Sequence, residues 1–292
     1  MTPVKVHVVI EKLMGGFFFL CGATTIIAVF AICLYMIMSG LPAIIEIGAK
    51  EFLLGPIWKS TAQEPQFGIL PFILTSIFGT CGAILIGVPI GLMTALFLAK
   101  IANQKLTAII RPSVDLLAGI PSVVYGLIGM IILVPAIMDI LGLKNGTSLL
   151  AAILVLSIMI LPSIISVSET ALHAVPKEYE EASYALGATQ METIFKVSIP
   201  AAKSGIAAGV VLGIGRAIGE AMAVMMVAGN VANMPGLFTS VTFLTTAITK
   251  EMAYASGLQR DALFSIGLIL FVFIIIINII LNMLLKRGSV SQ

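Results

Sequence analysis

Two charged residues stand inside an otherwise apolar stretch: Arg216 and Glu220, in the run Gly-Ile-Gly-Arg-Ala-Ile-Gly-Glu-Ala-Met-Ala that begins at Gly213. In a helix their i,i+4 spacing puts them on one face. A charge at the centre of a bilayer costs roughly 2.5–3.5 kcal/mol on insertion scales, so such residues pair with one another or line a watered path. Guanidinium offers a planar fork of donors that suits a tetrahedral oxyanion. Arg216 is therefore a candidate anion contact on a substrate path, with Glu220 as its counterweight. An interhelical ion pair that never meets substrate is the competing reading. Arg ahead of Glu is the weaker i,i+4 orientation for helix stability, which favours the path.

No second constellation suggests chemistry. Asp115 can cap a helix, pair with Arg111 or meet the helix of Arg216, and Glu169 reads as a residue at the membrane interface. His7 and His173 stand alone and read as surface residues. Cys21, Cys33 and Cys81 lie in apolar runs without CxxC spacing, as small buried hydrophobes do, so no metal or redox role is expected. Neither a catalytic set nor a phosphate-binding GxxxxGK[ST] loop is present. The expectation is a non-enzyme that binds no cofactor itself. A net charge of +2 without a basic cluster argues against nucleic acid.

The elements that hold these residues must live in lipid. The chain is 59% hydrophobic and 10% charged, with a mean hydropathy of +1.14, whereas average proteins carry about 25% charged residues. Six apolar runs, at 13–39, 67–99, 116–138, 145–168, 204–229 and 262–285, each exceed the roughly 20 residues a spanning helix needs. The first is too long for a cleaved signal. Alternation of the lipid-facing-barrel kind is missing, so the runs are predicted helices. The fold class is all-α, polytopic, with six transmembrane helices. With the N-terminus inside, ten Lys and Arg residues fall on inside segments and five on outside ones, which predicts that both termini are cytoplasmic. Of the outside connections, 40–66 carries Trp58, a residue suited to an interfacial anchor. The other, 230–261, reads as an amphipathic helix or a re-entrant gate. Prolines 89, 121, 135 and 162 are expected to kink their helices.

The segment 173–203 is the most informative polar stretch. Pro176 suits a helix start, Gly187 a break, and a second short helix can run on towards Pro200. Two short helices about a glycine turn would project as a rigid knob. Glu181-Ala182-Ser183, then Gly187, then Val197-Ser198-Ile199-Pro200 is similar to the "EAA" loop of bacterial ABC importer permeases. It keeps that motif's spacing, with Ser for Ala, Val for Ile and Ile for Leu. The stretches 117–126, 215–224 and 226–230, with Phe67-Gly-Ile-Leu-Pro71, resemble permeases of the phosphate-specific importers, of the PstC type. The sister PstA type is a close second.

The resemblance implies a type I ABC importer permease fold, with 1–66 as an N-terminal helix and outer loop and 67–292 as the permease domain proper. It makes Glu181, Ala182, Ser183, Gly187 and Pro200 the contact for a separate ATPase, which uses the ATP. It implies as partners a PstA-like permease, an ATPase dimer and an extracytoplasmic phosphate-binding protein, in a bacterial or archaeal cytoplasmic membrane. Small-xxx-small ladders at Gly205, Gly209 and Gly213, and at Gly215 and Gly219, allow close helix packing, here expected at the seam between permeases. Sulfate or molybdate as substrate, an ion-coupled carrier, and a scaffold or sensor in a phosphate-signalling complex are the alternatives.

Overall fold

In lipid every backbone N–H and C=O must find a partner within the protein, and this chain meets that demand with helices. The computed structural model describes the backbone of residues 3–289 and the side chains of residues 11–280 and 283. His7, singled out above, has its side chain outside that set. Six helical stretches among the described residues are long and apolar enough to cross a membrane.

α1 (Pro3–Ile47) leads to α2 (Ala49–Leu54) and a two-stranded antiparallel hairpin, β1 (Trp58–Lys59) with β2 (Gln66–Phe67), in which Trp58 faces Phe67. α3 (Leu70–Leu96) ends in a π-helical turn, Phe97–Ile101. Next come α4 (Gln104–Gly119), α5 (Ser122–Ile128), a second π-turn (Gly129–Leu133) and α6 (Val134–Leu141). α7 (Leu149–His173) runs to the polar segment, where α8 (Lys177–Ala185) and α9 (Gln190–Thr193) precede a third π-turn, Ile194–Ser198. α10 (Ile199–Gly219), α11 (Met222–Val227), α12 (Leu244–Glu251) and α13 (Gly257–Ser289) complete the chain. Two of the π-turns precede Pro135 and Pro200. Proline has no N–H for the i−4 carbonyl, and a widened turn accommodates the mismatch.

α7 is largely buried, apolar over most of its length, and is the central post. Glycines let both neighbours approach it. On α3, a Cβ at Gly82 or Gly87 would strike Ile153 or Ile160; on α10, one at Gly205 would strike Ala171 and one at Gly213 would strike Ile164. The ladder 205–209–213 therefore packs within this chain and not at a seam between subunits. Gly215 and Gly219 differ, with open space where their Cβ atoms would be.

A second core joins the ends of the chain. Phe52, Trp58, Phe67 and Phe72 pack with Leu244, Leu263 and Ile266, and α1 lies on α13 with Gly40 against the Phe264 carbonyl. Trp58 is thus no interfacial anchor. It is buried, and its indole N–H donates to Glu251 at 3.1 Å. The segment 228–243 is a folded-back loop, and the only helix in 230–261 besides the start of α13 is α12. The end of α11 and this loop satisfy the N-terminus of α7: Ser148 donates to the Val227 carbonyl, and Leu149 and Leu150 to those of Thr239 and Leu237. The cysteines are free, and Cys21 and Cys81 are exposed on the outer surface of the bundle instead of buried.

Candidate functional site

The third and fifth apolar runs are each interrupted, which composition did not reveal. α4 stops at Gly119, Ile120 is extended (ψ 127°), and Pro121 starts α5. α4 is thus a separate helix, and the span begins at Ser122, not at 116. Likewise α10 stops at Gly219, Glu220 is extended (ψ 127°), and α11 begins at Met222. The broken helices meet. A Cβ on Gly126 would lie 2.8 Å from the Ala223 Cα, and one on Gly129 2.8 Å from Val227.

Arg216 and Glu220 sit at this junction but do not pair. Glu220 accepts a hydrogen bond from the Ala223 N–H at 3.0 Å, capping α11, and its carbonyl accepts from Thr245 Oγ1 at 2.8 Å. The carboxylate is used on backbone, where it suits the positive end of a helix. Arg216 has neither an ion pair nor a hydrogen bond among the described residues. Its neighbour is Tyr125, close enough to feel its charge. The Tyr125 hydroxyl donates to the Leu117 carbonyl at 2.7 Å, across the break between α4 and α5. The interhelical-pair reading of Arg216 and Glu220 therefore fails within this chain, leaving a half-buried guanidinium where two helices are broken. Discontinuous helices are a recurrent way to build a binding site at membrane depth.

The polar segment forms the expected knob, and the sequence dictates how. Gly187 takes φ 84°, a left-handed conformation open to glycine at little cost. There the N–H groups of Gly187 and Ala188 donate to the Tyr184 and Ser183 carbonyls, closing the end of α8. Thr189 and Glu192 then cap α9 reciprocally, and the Ser183 and Thr193 hydroxyls meet at 2.9 Å. Glu181 and Ala182 are exposed, and Pro200 opens α10. Around them stand uncovered apolar side chains: Tyr179, Tyr184, Met191, Phe195 and above all Leu186, 90% exposed.

Glu180, not Glu181, fastens the knob to the bundle, and sequence reasoning missed it. Its carboxylate meets Lys100 at 2.6 Å and accepts from Ser198 Oγ at 2.8 Å. Lys100 and Ser198 lie in the π-turns that end α3 and precede α10. Burial pushes the Glu180 carboxyl up, but the hydrogen bonds from Lys100 and Ser198 and the Lys100 charge outweigh it and hold it below the usual carboxylate range. A second ion pair was also unforeseen. Buried Glu169 meets Arg111 at 3.4 Å and His173 at 3.7 Å. Glu169 is thus buried inside the bundle and His173 is not solitary, while Asp115 lines the same groove.

Two short helices tipped with apolar side chains thus stand on the end of a bundle of membrane-length helices. The family model for "binding-protein-dependent transport system inner membrane component" matches residues 87–289. The chain belongs to this family. It is 40% identical over 275 residues to a probable ABC transporter permease protein, YqgH, of Bacillus subtilis, covering 92% of this chain and 89% of that one. It is 33% identical over 285 residues to the phosphate transport system permease protein PstC of Pasteurella multocida, covering 88% and 89%. In solved structures, the inward-facing MetNI methionine ABC transporter superposes with a TM-score of 0.56 at 22% identity, over 76% of this permease and 94% of that chain, a likeness of fold. This permease is a multi-pass membrane subunit of an ABC importer, non-catalytic, in a family that works with ATPase and binding-protein partners.

Proposed function

We propose that this permease forms half of the membrane path of an ATP-driven importer of inorganic phosphate, and that Arg216 is the group that meets the anion inside the membrane. The observation that carries the proposal is the unpaired guanidinium at the meeting of two helix breaks. An intramembrane cation with no partner among the described residues is costly unless water or an anion reaches it. Phosphate, among oxyanions, is favoured by the likeness to PstC permeases. Glu220 holds the start of α11 and so shapes the path without touching the anion.

The partners in this reading are a PstA-like permease, an ATPase dimer under the α8–α9 knob and an extracytoplasmic phosphate-binding protein. Both termini and the knob face the cytoplasm of a bacterial or archaeal cell. ATP is bound by the partner ATPases, and this chain binds no cofactor. Closure of the ATPases pulls on the knob and opens the path outward; hydrolysis returns it.

The test is ATP-driven uptake of labelled phosphate, sulfate and molybdate by the complete complex in liposomes. Phosphate uptake with Arg216→Ala nearly inactive, at normal assembly and expression, is the expected result. Unchanged uptake by Arg216→Ala would remove Arg216 from the path, and preference for sulfate or molybdate would replace the substrate.

A further inference from the structure

A cavity of about 460 Å³ opens at the opposite end of the bundle from the knob, between the hairpin that carries Lys59, the start of the folded-back loop at Asn230, and α12. At about 30 Å³ per water it has room for roughly fifteen, enough for a hydrated small ion. Two cations line it, Lys59 and Lys250, and neither has a carboxylate partner among the described residues. The adjacent acid, Glu251, also lines the cavity, yet it is engaged elsewhere. Its oxygens accept from Trp58 Nε1 at 3.1 and 3.3 Å, Ser60 Oγ at 2.8 Å and Gln259 Nε2 at 3.1 Å. Glu251 keeps its charge in the cavity, but its oxygens are taken up by neutral donors. Neither ammonium is within salt-bridge distance of it among the described residues, so the two lysines outnumber the one acid of the lining.

The lysine on α12 is held in place. Lys250 Nζ donates to the Asn230 carbonyl at 3.1 Å, and that carbonyl is fixed because Asn230 takes φ 54° and donates its own N–H to Val241. One donor is used there, and an ammonium has three. A neutral donor completes the set: Thr242 lines the cavity at 5% exposure, and its hydroxyl has no partner among the described residues. Trp58 and Phe72 supply low-dielectric walls, which focus the field of the lysines into the concavity. The same short helix also reaches Arg216's neighbourhood, since Thr245 Oγ1 donates to the Glu220 carbonyl at 2.8 Å.

We propose that this cavity is a receiving station for a free tetrahedral oxyanion of the phosphate type, held by Lys59, Lys250 and the Thr242 hydroxyl before it moves on to Arg216. The inference rests on the oxyanion-permease reading above and adds to it a second, outer site. Phospholipid headgroups carry the same phosphate chemistry, so the source has to be separated by experiment.

The complete complex, without binding protein, is placed in nanodiscs of neutral phosphatidylcholine and labelled with a water-soluble amine reagent, each lysine being followed by mass spectrometry. Inorganic phosphate is titrated against chloride at constant ionic strength. Phosphate is expected to slow labelling of Lys59 and Lys250 while Lys50 and Lys144, exposed as they are but outside the cavity, keep their rates. Thr242→Val should raise the half-protecting concentration by roughly tenfold, the upper range for one lost hydrogen bond. Equal rates in phosphate and chloride overturn the station. So does protection seen only when anionic lipid is added, which identifies a headgroup as the occupant. Arg216→Ala separates the two claims. Lost protection in the wild type with uptake abolished by Arg216→Ala sinks the station alone. Protection that persists in an Arg216→Ala complex with normal uptake sinks the path reading and keeps the anion site.

Discussion

The knob at 176–198 and the junction around Arg216 treat their polar groups in opposite ways. In the knob several are tied down by named partners: Glu180 by Lys100 and Ser198, Ser183 by Thr193, Thr189 by Glu192. Large apolar side chains stand outward on it, Leu186, Phe195 and Tyr179, beside the exposed charges of Glu178 and Glu181. At the junction the apolar groups are packed and the polar one is left over. Ala223, Val224 and Val227 are fully buried, while Arg216 has no ion pair or hydrogen bond among the described residues. The first arrangement makes a rigid lever with a greasy tip, fit to seat in a protein groove. The second makes a charge that waits for something from outside. In the function proposed above, the first would transmit force and the second would meet the cargo, and what separates them is the kind of group each leaves exposed.

Removing the waiting charge should break this contrast most severely. Arg216→Ala is expected to lower kcat/KM for ATP-driven phosphate uptake roughly tenfold to hundredfold, the worth of a hydrogen bond to a charged group. Basal ATPase activity of the assembled complex should stay near wild type, because the knob is untouched. Arg216→Lys keeps charge without the fork and should fall between. Uptake and ATPase activity declining together would place Arg216 in the lever's own business, and the contrast would collapse.

The lever's root is the next place to strike. Glu180→Gln leaves Lys100, whose side chain is 13% exposed, without its counter-charge. The expected cost to local stability is about 2 kcal/mol, less than the 3–5 of a wholly buried pair. Transport per ATP should fall while ATPase activity persists. The pH dependence has a definite sign. A carboxyl held below its ordinary value stabilises the fold at pH above that value and loses the contribution as pH falls through the lowered one. Wild type and Glu180→Gln should therefore differ at neutral pH and converge in acid, read by hydrogen exchange of the 177–193 amides. A constant difference down through the carboxylate range would mean that Lys100 is not the partner that matters.

What could be read in advance follows the same division. The membrane runs were legible because length and apolarity alone decide them, and the knob because its turn needs a glycine at 187 with helix formers on either side. The break at Glu220 was hidden. Neither Glu220 nor Ala221 is a helix breaker by type, and the extended backbone is held by a tertiary bond, from Thr245 Oγ1 to the Glu220 carbonyl, beside the local one that the Glu220 carboxylate accepts from the Ala223 N–H. Trp58 was misread because its partner, Glu251, lies 193 residues away. Glu169 and Arg111 meet for the same reason across helices, and no spacing rule reports such a pair. Composition also assigned the glycine ladder of α10 to a partner subunit, since a small residue states that something comes close but not what.

A milder way to loosen the lever is to attack its turn. Gly187→Ala puts a Cβ on a residue at φ 84°, which costs about 1–2 kcal/mol in the left-handed region. Space is not the issue, as nothing lies within 4 Å of that Cβ. The penalty is thus backbone alone. Thermal stability of the bundle should be unchanged, with faster exchange at Gly187 and Ala188 and weaker association with the ATPase. If association is unaffected, the angle between α8 and α9 does not set the fit.

The smallest expected effect falls on the cap of α9. Thr189→Ala removes the hydroxyl that accepts from the Glu192 N–H at 3.3 Å, typically worth about 1 kcal/mol. The Glu192 carboxylate still accepts from the Thr189 backbone N–H at 3.0 Å, and Ser183 still ties α8 to Thr193, so the loss should remain within α9. The measurable consequence is fraying of residues 190–193 in hydrogen exchange, with uptake close to normal. Thr189→Ser should restore the protection. A large uptake defect from so local a change would show that α9 itself, rather than the Glu180 root, carries the stroke, and would move the lever's stiff point from the bundle to the tip.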